Sequence, residues 1–376
     1  MKKYVLYGTG LEGEKLLYNH FSIIDEIAYC IDSFHTGSFH GIPIVTFDEA
    51  TDLQSYTIIV AAVWKTYEKI KCMLVQKGYI EYTNFFWASE FGKKLVIINA
   101  NCHGAALAKF LENCGQFVKE YCIHPIPQTH MNQEKKICSV LLNRADVYIH
   151  QDIRPDNSIG YELSDEYVTR LLKDDCVNIT IPNFVGMGNW IYPLQGGLDK
   201  RFYTNNGLFD VFYRDQVMEE AYDNQEIVSL EQYVSFYLNY TIEEETLVDK
   251  KEKDLLKLKK REEKWDIKVA DFIEKNFRTI PCFVDHDHPS KYLMYEIGRQ
   301  VAEILGVEND NCIECWESHL GLPTPVLTCV IDYYGINWEV FNDKPFNIFL
   351  GYQTSQILEE YIKEYLWWYH GTIVKP

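Results

Sequence analysis

A chain of 376 residues has room for two or three domains, and its 47% hydrophobic and 15% aromatic content is typical of a well-packed globular protein. The formal net charge of −19 at pH 7 argues against nucleic acid as a partner, because an acidic surface repels a polyanion. No apolar run reaches the roughly 18 residues of a membrane span, no signal peptide precedes the first strand, and scattered cysteines favour reduced thiols, so we expect a cytoplasmic protein.

The first predicted unit, residues 1–92, opens with an apolar strand over residues 3–8 that runs into a glycine-rich turn and a helix. A second strand ends at an acid, Asp32, and a third buried strand lies over residues 57–63. The glycines of the turn are Gly8, Gly10 and Gly13. Their spacing to the acid matches the dinucleotide-binding fingerprint, in which backbone N–H groups meet phosphate and the acid meets a ribose.

This unit amounts to about half of a doubly wound sheet. It lacks the second mononucleotide half that a dehydrogenase uses for nicotinamide, so we expect no redox chemistry. The unit resembles the small Rossmann-like domains attached to bacterial surface-sugar enzymes, including the N-terminal domains of sugar acyltransferases. That resemblance implies binding of a nucleotide or sugar nucleotide, or docking; a purely structural role is the alternative.

The second predicted unit, residues 93–376, starts with a buried strand and a helix joined by a short polar turn, over residues 95–107. Cys102 lies in this turn. A cysteine there faces the positive end of the helix dipole and unpaired N–H groups, which favour the nucleophilic thiolate. The alternative is a small apolar filler beneath the turn, since helix starts ordinarily carry Ser, Thr or Asp.

Further strands are predicted over residues 117–123, 145–150 and 176–181, with helices near 134–142 and 164–173. This alternation predicts a mostly parallel sheet, whose ligands bind outside the carboxyl ends of the strands. Polar side chains follow three strand ends and are candidate ligand-binding residues: Asn101, Cys102 and His103; His150, Gln151 and Arg154; and Asn183.

The last third of the chain is predicted to be largely helical. The highly charged segment over residues 241–277 is typical of a solvated helix face, and an arm used to form a homo-oligomer is the alternative. Two histidines and two acids alternate over residues 285–288, but these histidines are too close to share one helix face, so we expect no metal. Cys312 and Cys315 form a lone CxxC pair, which indicates two unrelated thiols rather than zinc.

Residues 93 to about 310 resemble the WcbI family of polysaccharide-biosynthesis enzymes. The resemblance rests on Asn101-Cys102-His103-Gly104 after a strand, then His150-Gln151, Ile181-Pro182-Asn183-Phe184 and His288-Pro289-Ser290 before a helix. The family pattern has glutamine after the cysteine, so whether His103 binds substrate, transfers protons or does neither stays open. The resemblance implies binding of coenzyme A or acetyl-coenzyme A, and transfer of an acetyl group to a sugar of a capsular or surface polysaccharide.

Acyl transfer needs a nucleophile, a base and a group that orients the base. We expect Cys102 to be the nucleophile, and His288 to be the base because an imidazole titrates near neutral pH. Asp285 is expected to set the tautomer of that imidazole, as the third member of a triad does. Direct attack by the sugar hydroxyl, with His288 or His103 as base, is the alternative mechanism.

Donors are also needed for the oxyanion that forms during acyl transfer. We expect the N–H groups of Cys102 and Gly104 to serve, with the side chain of Asn183 or Gln151. Arg154 is expected to bind a coenzyme phosphate through its bidentate guanidinium, or else to pair with a neighbouring surface acid. The expected cofactor-binding residues are Asn101, Gly104, His150, Gln151, Arg154 and Asn183.

The predicted fold class is therefore α/β, with a small Rossmann-like half-sheet followed by a larger α/β unit and an extensive helical C-terminal part. The larger unit also resembles SGNH-type esterases, which have a nucleophile after the first strand and an Asp-x-x-His near the end. Two other functions are consistent with these features: an esterase that removes acyl groups from glycans, and a non-catalytic sugar-nucleotide-binding protein.

Overall fold

The computed structural model describes residues 2–196, 203–204, 207–208, 213–313, 324–338 and 355–371. Within these ranges the chain forms two large sheets flanked by helices. The first sheet ends at Trp87 and the second begins at Lys94. The α/β class expected from the sequence is confirmed.

The first sheet has six strands in the spatial order β3-β4-β2-β1-β5-β6. Its strands are Tyr4–Tyr7 (β1), Ile27–Ile31 (β2), Gly37–Phe39 (β3), Ile42–Val45 (β4), Thr57–Val60 (β5) and Phe85–Trp87 (β6), with helices Leu11–Asn19 (α1) and Trp64–Gln76 (α2). Neighbouring strands pair in parallel except β3 and β4, which form an antiparallel hairpin. The hairpin extends the half-sheet beyond the sequence expectation, because a strand that starts Gly-Ser has little β-propensity.

Both faces of this sheet are buried, as the near-continuous apolar runs of its strands require. Val5 and Ile58 pack on one face with Tyr67 of α2. Leu6 and Ile59 point to the opposite face and pack with the apolar side of α1. The alternation places one helix on each side of the sheet, so the loops after β1 and β5 open a crevice between them.

Gly8 follows β1 in a conformation that only glycine adopts readily. Its φ is +108°, and a Cβ there would lie 2.4 Å from the carbonyl oxygen of Ala61. Gly13, one turn into α1, is equally constrained, because its Cβ would lie 2.6 Å from the Gly8 carbonyl oxygen. Two of the three predicted glycines are therefore required by close backbone packing.

Gly8→Ala should lower the free energy of unfolding by about 2 kcal/mol or more, because conformational strain and the clash with Ala61 add together. Urea unfolding of the full chain measures this change. Gly10→Ala is the matched control, because Gly10 has a φ of −81° and no atom lies within 4 Å of a Cβ built on it. We expect that control to cost under about 1 kcal/mol. Equal losses in the two variants would show that the turn does not require Gly8.

The second sheet has four strands, all parallel, in the order β10-β9-β7-β8. The strands are Lys94–Asn99 (β7), Tyr121–Ile123 (β8), Val147–Gln151 (β9) and Val177–Ile181 (β10), and a separate two-stranded hairpin pairs Tyr203–Thr204 (β11) with Gly207–Leu208 (β12). When the strands are numbered from β7, their spatial order is that of doubly wound sheets. In such sheets the direction in which successive strands are added reverses between the first and third strands. Ligands of such sheets bind in the crevice at that reversal, between the carboxyl ends of β7 and β9.

Four helices connect these strands: Cys102–Glu112 (α3), Gly115–Glu120 (α4), Ser139–Arg144 (α5) and Asp165–Val168 (α6). The strand predicted over residues 117–123 is wrong in its first half, which belongs to α4. Short apolar runs do not distinguish helix from strand, and here Phe117 is buried and stacks on Tyr121 at 5.1 Å. The helix predicted over residues 164–173 is confined to the single turn of α6.

The C-terminal part is helical, as expected. Its helices are Gln216–Asp223 (α7), Leu230–Leu238 (α8), Glu244–Glu262 (α9), Ala270–Asn276 (α10), Lys291–Leu305 (α11), Thr328–Tyr334 (α12) and Ser355–His370 (α13). In the charged helix α9, Leu247, Leu255 and Leu258 are buried against the core while most charges point outward. No helix in the described ranges is apolar over enough of its length to cross a membrane.

The two sheets are joined by a buried, hydrogen-bonded pair of side chains. Glu90, which lies between β6 and β7, places Oε1 2.6 Å from Nδ1 of His124, directly after β8, and both side chains are at most 6% exposed. The Tyr82 hydroxyl lies 3.0 Å from the same nitrogen, and Trp64 packs edge-on against the imidazole. His124 of the second unit is thus held by three residues of the first.

Candidate active site

Cys102 is the first residue of α3, directly after β7, and it is partly exposed. Asn101 caps the helix, because its side-chain oxygen accepts the His103 N–H at 2.9 Å. The Asn101 N–H donates to Oε1 of Gln151 at 3.1 Å, which ties the start of α3 to the end of β9. The thiol therefore stands at a capped helix N-terminus in the crevice of the parallel sheet.

His288 and Asp285 are linked by a short hydrogen bond in the loop before α11. Nδ1 of His288 lies 2.8 Å from Oδ2 of Asp285, whose side chain is 1% exposed. The other oxygen of Asp285 accepts the backbone N–H groups of Asp287 and His288, both at 2.8 Å. Because the carboxylate is engaged on both oxygens, the ring of His288 has a fixed orientation.

The free side of the His288 ring hydrogen-bonds the Cys102 thiol. Burial alone would lower the pKa of His288, but the hydrogen bonds to Asp285 and Cys102 raise that pKa to about 10. The imidazole is therefore protonated at neutral pH. A cysteine sulfur hydrogen-bonded to an imidazole that a carboxylate orients has the arrangement of a nucleophile with its proton carrier.

His103, which follows the candidate nucleophile, is 2% exposed. Its Nδ1 accepts a hydrogen bond from the Gln151 amide at 3.1 Å, and its other nitrogen donates to the backbone carbonyl of Asp287. Burial, together with the charge of His288, lowers the pKa of His103 to about 3. A neutral, buried imidazole with both nitrogens engaged joins α3 to the His288 loop.

Gln151 has both amide protons engaged, one with His103 and one with the Pro182 carbonyl at 3.0 Å. The Gly104 N–H is also taken, since it donates to the Asn101 carbonyl at 3.0 Å. Both groups, which were expected to donate to an oxyanion, thus have protein acceptors in this structure. Of the expected donors, the Cys102 N–H and the amide group of Asn183 are left.

The structure does not bring His150 and Arg154 to Cys102. His150 is 3% exposed, its Nδ1 lies 2.7 Å from an Asp165 carboxylate oxygen, and its ring stacks on Tyr148. Arg154 extends from the surface, with a side chain 76% exposed, and lies 3.6 Å from Asp156. The ion-pair alternative stated for Arg154 is therefore the contact that the structure contains.

Sequence reasoning missed Tyr213, whose ring lies near that of His288, and His130, which the charge of His288 affects. Tyr213 lies with its ring centroid 4.2 Å from that of His286 and 5.9 Å from that of His288, and its hydroxyl donates to Asp287. The pKa of His130 is lowered, chiefly by burial and further by the positive charge of His288. No motif marks either residue, because loops that are distant in the chain carry them.

The glycine turn of the first unit lines a separate cleft of about 480 Å³, to which Gly8, Gly10 and Asp32 contribute. Gly13 packs behind it, against Gly8. The Asp32 carboxylate accepts the N–H groups of Thr9, Phe34 and His35 and the Thr9 hydroxyl. Although burial opposes this, those hydrogen bonds hold the pKa of Asp32 well below its usual range.

No group of His, Cys, Asp and Glu in the described ranges has an arrangement that holds a metal ion. Cys312 of the CxxC pair is exposed, and Cys315 lies outside the described residues. The thiol, imidazole and carboxylate instead form a linked chain at the carboxyl edge of a doubly wound sheet. Fold and site together define an α/β protein with a candidate cysteine-nucleophile centre.

A family model described as "Polysaccharide biosynthesis enzyme WcbI" matches residues 95–310, which is more than half of the chain. The chain belongs to this WcbI family of polysaccharide biosynthesis enzymes, and the resemblance stated from its motifs is confirmed. A search of curated proteins finds no match.

One solved structure is similar to 73% of this chain and is itself covered over 95% of its length, with 15% sequence identity and a TM-score of 0.48. That structure is described as native WcbI, a novel polysaccharide biosynthesis enzyme, without a disulfide bond between coenzyme A and a cysteine.

Proposed function

We propose that this protein is an acyltransferase that moves an acetyl group from acetyl-coenzyme A to a sugar hydroxyl in surface polysaccharide biosynthesis. The observation that carries the proposal is the hydrogen-bonded chain from Cys102 through His288 to Asp285. Membership of a polysaccharide biosynthesis family supports the sugar acceptor. The resemblance of the motifs to that family supports coenzyme A as the carrier, and with it a cytoplasmic location.

In the first half-reaction the Cys102 thiolate attacks the thioester carbonyl, and a bond from sulfur to the acetyl carbon forms. As the tetrahedral adduct collapses, the bond to the coenzyme sulfur breaks, and the leaving thiolate takes the proton of the His288 imidazolium. His288 is then neutral, and Asp285 holds it in the tautomer with a proton on Nδ1.

In the second half-reaction Nε2 of neutral His288 removes the proton of the sugar hydroxyl as the hydroxyl oxygen attacks the acetyl-enzyme. The acetyl group leaves sulfur, Cys102 becomes a thiolate again, and His288 becomes an imidazolium. The Cys102 N–H and the Asn183 amide are the donors that we assign to both oxyanions. His103 is a positioning residue, because it holds α3 and the His288 loop together.

A narrow cleft beside the N-terminus of α3 offers room for the arm of coenzyme A. Its volume is about 230 Å³, and Asn101, the residue before Cys102, is part of its lining. Gly104 and Ala108 line it, and most of the other lining residues are also apolar. Lys109 lines the same cleft and is better placed than Arg154 to meet a coenzyme phosphate.

Coenzyme A should stabilise the folded chain, because a ligand at a hundred times its Kd adds about 2.7 kcal/mol to the free energy of unfolding. Thermal unfolding with coenzyme A, acetyl-coenzyme A and NAD measures the effect, and we expect only the two coenzyme A species to act through this cleft. Lys109→Ala should weaken coenzyme A binding by roughly tenfold, while Arg154→Ala, at an exposed site, is the matched control.

If coenzyme A does not stabilise the chain, the result would contradict the proposal. It would favour the glycan esterase, which needs no such carrier. Production of free acetate at the same rate with and without a sugar acceptor would point to that esterase too. Equal weakening by both variants would place the phosphate outside the cleft.

A further inference from the structure

Asp287, which lies between the two histidines of the His288 loop (residues 285–288), is held from two other segments of the chain. Its carboxylate accepts the Gly186 N–H at 2.5 Å and the hydroxyl proton of Tyr213. Its backbone carbonyl accepts the ring proton of His103 in α3, and its backbone N–H donates to Asp285 at 2.8 Å. Several segments of the chain therefore meet at the residue directly before His288.

Tyr213 packs on the His288 loop with its ring as well as with its hydroxyl. The ring centroid lies 4.2 Å from that of His286 and 5.9 Å from that of His288. Burial, and after it the charges of Asp285 and Asp287, raise the pKa of Tyr213. The hydroxyl therefore keeps its proton at neutral and alkaline pH and remains a donor. Hydrogen bonds to an ionised acceptor are roughly twice as strong as those between neutral groups.

Asp215, two residues further along the chain, anchors the backbone that carries Tyr213. It is 3% exposed, and its carboxylate accepts the hydroxyl protons of Tyr237 in α8 at 3.0 Å and of Tyr361 in α13 at 2.9 Å. The hydroxyl of Tyr365, one turn further along α13, accepts the Asp215 N–H at 3.0 Å. A buried carboxylate is costly without such donors, so this network favours one arrangement of the segment and the C-terminal helix.

We infer that Tyr213 is a positioning residue, which keeps the His288 loop in register with α3 for proton transfer. Its hydroxyl holds Asp287, and Asp287 in turn contacts both the helix and the carboxylate that orients His288. The C-terminal helix α13 belongs to the same arrangement, because it anchors Asp215 and thereby the backbone at Tyr213. The inference rests on the proposed function, in which His288 gives up and regains a proton in each transfer cycle.

Tyr213→Phe removes the hydroxyl but keeps the ring, so it tests the hydrogen bond to Asp287 directly. Hydrogen–deuterium exchange of the full chain should be at least about threefold faster at the backbone N–H groups of Gly186, Asp287 and His288, whose carboxylate acceptors lie in the arrangement that the hydroxyl completes. Single-turnover release of coenzyme A from acetyl-coenzyme A, which needs no sugar acceptor, should slow roughly tenfold. The acetyl-coenzyme A concentration that gives half the maximal rate should change less than about twofold, because Tyr213 does not line the cleft assigned to the coenzyme.

The pH dependence of this release distinguishes a positioning role from a merely structural one. In Tyr213→Phe the alkaline fall in rate should move to lower pH, because a loop held less firmly weakens the hydrogen bond from Asp285 that raises the pKa of His288. Tyr240→Phe is the matched control, because its hydroxyl also donates to a carboxylate, that of Glu220 at 2.8 Å, in an exposed pair that contains no residue of the candidate site. That variant should leave the exchange, the rate and the pH profile unchanged.

Tyr361→Phe tests the far end of the arrangement, because it removes one of the hydroxyl donors to Asp215 and leaves another. We expect the changes seen in Tyr213→Phe at smaller amplitude. Tyr334→Phe is the control for this variant, since the Tyr334 hydroxyl donates to the buried Leu247 carbonyl at 2.6 Å. It should lower the unfolding temperature by a similar amount without changing the exchange of the His288 loop.

The inference is overturned if the His288 loop of Tyr213→Phe exchanges no faster than that of the unaltered chain. It is also overturned if the loop exchanges faster but coenzyme A is released at the original rate. Unchanged exchange in Tyr361→Phe would overturn the part assigned to the C-terminal helix. A chain that releases no coenzyme A contradicts the proposed function instead, and the exchange measurement then decides by itself whether Tyr213 holds the loop.

Discussion

Replacing Cys102 with alanine should abolish acetyl transfer, because the proposed acetyl-enzyme forms on that sulfur. Cys102→Ser should retain a trace of activity, since a hydroxyl can still attack with help from the base. Because Cys102 is partly exposed, lies at a helix N-terminus and contacts the His288 ring, we also expect it to be the fastest of the eleven cysteines to react with iodoacetamide at pH 7. Mass spectrometry of the labelled peptides and a transfer assay with acetyl-coenzyme A measure these outcomes.

Cys138→Ala is the matched control for this experiment, because Cys138 is an exposed thiol in another part of the chain. It should leave transfer unchanged, and coenzyme A should protect Cys102 but not Cys138 from labelling. A Cys102→Ala variant that transfers acetyl normally would exclude the covalent mechanism. Direct attack by the sugar hydroxyl, with His288 as base, would then be the better account.

Replacing His288 with alanine should lower the transfer rate by roughly two to four orders of magnitude, the usual range for loss of general acid–base help. His286→Ala is the matched control: its ring lies in the same loop but faces Gln195, with Nδ1 3.2 Å from Oε1. We expect that variant to lose less than about tenfold. Equal losses in the two variants would indicate a disturbed loop rather than a lost proton carrier.

The pH dependence of activity tests the pairing of His288 with Asp285. The pKa of His288 is raised from its ordinary value of 6.5 to about 10, so the imidazolium persists through neutral pH and is lost only as the pH approaches 10. Its pairing therefore stabilises the fold fully below pH 6.5 and ceases to do so as the pH rises through about 10. Asp285→Asn removes the carboxylate whose hydrogen bond and charge raise this pKa, so the alkaline fall in activity should move to lower pH. An unchanged pH profile would show that Asp285 does not control the protonation of His288.

The places where strands end were predictable from the sequence, and they carry most of the candidate site. Four consecutive apolar residues before Asn101 indicated a buried strand, and a polar turn before Ala105 indicated the start of a helix. Because parallel strands end at one edge of a sheet, Cys102 and Gln151 were expected near each other without any knowledge of their contacts. The register of β7 and β9 brings them together.

Side-chain partners were not predictable in this way, because they depend on which loops fold over that edge. His103 follows the candidate nucleophile and suggested chemistry, yet its ring is buried between Gln151 and the Asp287 carbonyl. Arg154 follows a strand end and suggested a phosphate contact, yet it extends from the surface. Tyr213, from a segment more than a hundred residues beyond Cys102, carried no signal in a chain with 27 tyrosines.

The buried pair of Glu90 and His124 limits how freely the two units can be recombined. Both side chains are at most 6% exposed. Removing either partner would therefore lower the stability of the fold, because the other would stay buried without its hydrogen bond. A chimera that carries another Rossmann-like unit in place of residues 1–92 would leave His124 without a partner, unless the incoming unit supplied an acid at the position of Glu90. His124 also lines the cleft that contains Asn101, so the interface between the units is at the same time a wall of the proposed coenzyme site. Positions 90 and 124 should therefore be inherited as a pair.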